Sequence, residues 1–111
     1  MSYIRLYRSN DRVLAISAQD SGGVAIDITG ASLFFYVSKS NGRQVIFEKS
    51  VGNGITVVDA VGGEIEIEIT NADSDLVVGD YHYELLLVDV DGNRYTVLQG
   101  TLEITHSIGG V

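Results

Sequence analysis

Residues 79–104 read Gly79-Asp-Tyr-His-Tyr-Glu-Leu-Leu-Leu-Val-Asp-Val-Asp-Gly-Asn-Arg-Tyr-Thr-Val-Leu-Gln-Gly-Thr-Leu-Glu-Ile104. Side chains two apart share one side of a pleated strand, so Tyr81, Tyr83, Leu85 and Leu87 fall on one face and His82, Glu84, Leu86 and Val88 on the other. Both faces are largely apolar, which predicts a central strand that is flanked and covered on both sides. Asp91-Gly92-Asn93 then reverses the chain, with Gly92 supplying the positive φ that a tight hairpin needs. Arg94 to Thr105 returns antiparallel, and this long hairpin is the frame around which the other strands are expected to lie.

Working outward, Glu64-Ile65-Glu66-Ile67-Glu68-Ile69 alternates without exception, with isoleucines directed inward and three glutamates in a row outside. Leu33, Phe35 and Val37 share one side of Ser32 to Ser38, and Phe34 and Tyr36 the other. Asn41-Gly42 is a hairpin signal leading into Gln44 to Val51. Ile55 to Val58 follows the Gly52-Asn53-Gly54 bend. Near the amino terminus, Tyr3 to Tyr7 reads as a short edge strand and Arg12 to Ala18 as a second strand, with Gln19 to Gly23 as turn chemistry. Val24 to Ile28 is a short apolar piece. Asn71 to Val78 has room for one helical turn capped by Asn71.

Short strands separated by turns every eight to twelve residues, with no helical periodicity of useful length, predict an all-β fold. We expect an immunoglobulin-like antiparallel β-sandwich of seven to eight strands, formed by a single domain over residues 1–111 with a short tail at 105–111, mobile from Ser107 to Val111. Its inward residues should include Leu33, Phe35, Val37, Ile65, Ile67, Tyr83, Leu85 and Leu87. A chain of 111 residues can bury roughly two thirds of its unfolded surface. With no cysteine, it must be held by packing rather than disulfides.

Composition narrows the chemistry. The net charge of −8 and the lack of a Lys/Arg cluster argue against nucleic acid. Residues 1–50 carry six basic and four acidic groups, whereas 51–111 carry Arg94 against eleven acids. The amino-terminal residues have no apolar signal-peptide core, and nowhere do 18 apolar residues run together, so the protein is expected to be made and used without passing a membrane. Asp89-Val90-Asp91-Gly92-Asn93 has the opening of a calcium loop, but Arg94 stands where Gly is required and Gly100 where a bidentate Glu is required. His82 and His106 lack partners at metal-ligand spacing. Glu64, Glu66 and Glu68 sit on an exposed face with nothing to tune a proton-transfer group. Catalytic, cofactor and metal sites are therefore expected to be absent, as is a small-molecule substrate.

Two residue sets remain as candidates. Asp75, Gly79 and Tyr81 have the spacing of a tyrosine corner, in which Tyr81 would hydrogen-bond backbone near Asp75 or Leu76. Arg5 and Arg8 on the first strand, against Glu64, Glu66 and Glu68 elsewhere, form opposed patches through which copies or partners could join.

The order of Ile28-Thr29-Gly30-Ala31, Leu33-Phe34-Phe35-Tyr36-Val37, Phe47-Glu48-Lys49, Gly54-Ile55-Thr56-Val57, Thr70-Asn71-Ala72-Asp73, Gly79 to Leu85 and Asp91-Gly92 resembles the immunoglobulin-like amino-terminal domain of phage baseplate upper proteins and related small tail and virion structural proteins. The resemblance implies a bacteriophage virion protein, an assembly module of tail, baseplate or neck that is assembled in the bacterial host cytoplasm. Its partners would be other virion proteins and copies of itself, with neither nucleic acid nor membrane. The alternatives are a capsid decoration protein, or a receptor- or glycan-binding module that uses outward aromatics such as Tyr3, Tyr7 and Tyr36.

Overall fold

A computed structural model describes residues 2–39 and 44–106. The Asn41-Gly42 turn and the tail 107–111 lie outside the described residues. Eight strands run in chain order: β1 (Ser2–Tyr7), β2 (Arg12–Ser17), β3 (Ser32–Lys39), β4 (Val45–Val51), β5 (Gly54–Asp59), β6 (Glu64–Ile69), β7 (Gly79–Val88) and β8 (Arg94–Thr105). They form one mixed sheet in the order β1-β8-β7-β3-β4-β5-β6-β2. The 64–69 strand has its predicted bounds because only one register buries all three isoleucines. The Val24 to Ile28 piece makes no strand, only a single bridge between Gln19 and Ala25. The 71–78 segment is a turn without helix.

The hairpin holds β7 against β8 from Gly79↔Ile104 to Val88↔Arg94, with a register shift between Leu85 and Leu86. Its loop is wider than a two-residue turn. The Asp89 carboxylate accepts the Asp91 and Asn93 N–H groups, both at 2.9 Å, and Gly92 takes φ 87°. β7 also pairs with β3 over eight positions, which makes it a central strand. By contrast, β4 and β5 meet in parallel through two pairs only, Ser50↔Gly54 and Val51↔Ile55.

All eight residues expected inside are at most 4% exposed, and Leu6, Leu14, Ile55, Ile69, Leu102 and Ile104 join them in one cluster. Gly63 closes the packing beside it. With φ 69°, a Cβ at this position would stand 2.6 Å from the Ile26 carbonyl oxygen and 2.7 Å from that of Ala18. Only glycine permits both the left-handed backbone and the close approach.

Candidate functional site

The two end strands of the sheet, β1 and β2, approach each other without joining. Among the described residues no ladder links β1 to β2. They face across a seam of about 440 Å³, lined by β2 on one side and by Ile4, Tyr83 and Leu98 on the other. One arginine crosses it, with Arg12 Nη1 donating to the Arg5 carbonyl at 2.6 Å. Ala18 N–H donates to Gly63 C=O at 2.8 Å, and the register continues through Ile16↔Ile65 and Leu14↔Ile67. In antiparallel pairs, bonded and non-bonded positions alternate. The main-chain groups of Val13, Ala15 and Ser17 therefore point away from β6, into the seam.

One end of the seam is closed by loop-to-loop contacts. The Ser74 hydroxyl, fully buried, donates to the Asn10 carbonyl at 2.8 Å, and Asn71 N–H donates to Asp11 Oδ1 at 2.6 Å. Lys49 Nζ meets Asp73 Oδ2 at 2.6 Å, with both side chains less than one-fifth exposed. Burial by itself would raise the Asp73 carboxyl. The bonds from Lys49 and Thr70 outweigh it and hold the group below its usual value.

The predicted patches do not stand free as opposed charges. Arg5 Nε lies 3.0 Å from Glu103, directly across the parallel β1–β8 ladder, and the Tyr3 hydroxyl bonds the same carboxylate. Tyr3 first, then Arg5, hold Glu103 below the usual carboxylate range. Arg8 Nε pairs with Asp75 at 3.2 Å, and Ser9 Oγ donates to the same oxygen. Glu64, Glu66 and Glu68 are exposed, opposite Ser17, Ala15 and Val13 of β2. The arginines are thus spent within the fold, while the glutamate row meets no cation across the ladder.

Tyr81 donates its hydroxyl to the Val77 carbonyl at 2.6 Å, so the acceptor lies beyond the expected Asp75 and Leu76. Asp75 serves Arg8 and Ser9 instead. Gly79, between them, takes φ 153°.

A second concavity, also about 440 Å³, lies on the outer face of β3, β7 and β8, where Tyr36, Ser38, His82, Glu84, Leu86 and Arg94 converge. The sequence predicts this face to be covered. No second layer lies over it among the described residues; Tyr36, His82 and Glu84 are half-buried, while Leu86 and Ser38 are buried among their neighbours. Phe34 and Tyr36 shield each other by stacking at 6.2 Å with 15° between their planes. Sequence reasoning did not single out His82, Glu84 or Arg94 as a group. The available signal was polar residues at even positions of an otherwise apolar β7, beside the one arginine of the acidic half.

No group of His, Cys, Asp and Glu among the described residues could hold a metal ion. No family model matches the chain, and no curated protein matches it.

Proposed function

We propose that the protein is a non-enzymatic assembly module of a bacteriophage virion, acting through its free sheet edge, with copies of itself or other virion proteins as partners. The observation that carries this reading is the outer edge of β2. Natural monomers blunt such edges with proline, inward charge or bulges, because unpaired N–H and C=O groups recruit further strands. The chain contains no proline. Between Arg12 and Ser17 the ladder to β6 has no bulge, and Val13 and Ala15 are exposed and uncharged. A strand seated there would continue the sheet and cover Ile4 and Leu98, which border the seam. The virion setting, and an immunoglobulin-like kinship of the fold, rest on the order of sequence motifs; the Tyr81 corner and the thin β4–β5 junction support that kinship.

The test is Ala15→Lys, which places a charge on the edge without touching the core. Wild type should self-associate in light scattering or be found by mass spectrometry in purified particles, and the variant should do so less while melting at the same temperature. Variant incorporation equal to wild type, or a wild-type protein that is strictly monomeric and absent from particles, would overturn the proposal.

A further inference from the structure

The geometry points to a saccharide-binding site on the outer face of β3, β7 and β8, selective for a sugar bearing a carboxylate. Three kinds of group meet in that cleft. Tyr36 offers an aromatic surface held in place by its stacking on Phe34. Such a surface suits the apolar C–H face of a pyranose ring, as aromatic side chains combine large contact area with fixed orientation. Glu84 lies directly across the ladder from Tyr36. Its Oε2 accepts the Thr96 hydroxyl at 2.6 Å, which orients the carboxylate and leaves its other lone pairs for sugar hydroxyls. His82, across from Ser38, supplies a ring nitrogen beside it.

Arg94 decides the charge of the ligand. It is the one basic residue from 51 to 111, a stretch with eleven acids. Arg5, Arg8 and Lys49 each have a carboxylate partner, whereas Arg94 makes no ion pair among the described residues and borders the cleft. A guanidinium so placed matches a carboxylate in a two-pronged geometry. A neutral sugar would use the tyrosine and the glutamate but leave the arginine unmatched. A free anion without a ring would use the arginine and leave the aromatic surface empty. A uronic acid uses all of them.

Titration of the full-length, isotope-labelled protein with tri-galacturonic acid, and separately with maltotriose, distinguishes these cases by amide shifts. Tri-galacturonic acid should shift the signals of Tyr36, His82, Glu84 and Arg94, and maltotriose should bind more weakly. Arg94→Gln should weaken tri-galacturonic acid about tenfold and remove the preference, as expected for losing one charge-assisted contact. Tyr36→Ala should weaken both sugars. The wild-type pattern of the remaining amides shows that each variant is folded. No shifts at these four residues at millimolar sugar, shifts confined to the β2 seam, equal binding of the neutral sugar, or an unaltered affinity in folded Arg94→Gln would each overturn the assignment.

Discussion

The two faces of the β3–β7 pair are built from alternate residues of the same strands, yet they have opposite fates. On the inner face Leu33, Phe35, Val37, Tyr83, Leu85 and Leu87 are almost wholly excluded from solvent. On the outer face Phe34, Tyr36, His82 and Glu84 are half-buried and only Leu86 and Ser38 are buried, and Tyr36, His82, Glu84 and Leu86 border an open cleft. The inner face packs into one buried cluster drawn from strands across the whole sheet, while no second layer lies over the outer face among the described residues. An apolar residue on the first face stabilises the fold, whereas an aromatic one on the second is available to a ligand.

The contrast can be broken most forcefully at Leu85, which is fully buried. Leu85→Ala should cost about 2–5 kcal/mol in urea melts, as a core truncation does. A cost near zero would place the packed face elsewhere.

Charge sharpens the comparison next. Lys49 is opposite Phe35 in the β3–β4 register and thus on the inward side, where it is matched by Asp73. Asp73→Asn should cost roughly 1.5–3 kcal/mol near neutral pH, the range for hydrogen bonds to charged groups. The folded-state carboxyl is depressed, so its stabilisation is fully present above the unfolded value of about 3.9 and is lost as pH falls through the lower folded value. The gap between wild type and variant should therefore be constant from neutral pH down to mild acid, then narrow below the unfolded value. A gap that widens in acid would contradict the pairing.

Tyr81 lies at the start of the inward-facing row. Tyr81→Phe should lower stability by about 0.5–1.5 kcal/mol, the net worth of one hydrogen bond, read from the thermal midpoint. An unchanged midpoint would make the Val77 contact incidental. A small effect belongs to the outer face too, where Tyr36 is half-buried and stacked on Phe34: Tyr36→Ala should cost about 1 kcal/mol, the usual size for a point substitution and well below the truncation at Leu85. A loss as large as that at Leu85 would mean the outer face is structural and would erase the distinction between the faces.

Much of this architecture is legible in local pattern. Strict alternation from Glu64 to Ile69 admits one buried register, and the run from Tyr81 to Val88 bounded by Asp91-Gly92-Asn93 admits a hairpin with β7 in the middle of a sheet. Those readings rest on period two and on backbone freedom at Gly92, both properties of a few adjacent residues. The residues of β7 named the inner face correctly, with Tyr83, Leu85 and Leu87 buried, but could not say that the other largely apolar face would lack a covering layer, because that depends on what the rest of the chain packs against. Contacts distant in sequence decide that packing: the two-pair β4–β5 ladder, Gly63 close against Ala18 and Ile26, and the loops tied through Ser74 and Asn10. Likewise, charge counts marked Arg5 and Arg8 as candidates, but the parallel register that sets Arg5 opposite Glu103 exists only once β1 has docked on β8. Arg94 reaches the Tyr36 cleft for the same reason: they stand 58 positions apart in the chain, and only the pairing of β3, β7 and β8 brings them to one surface.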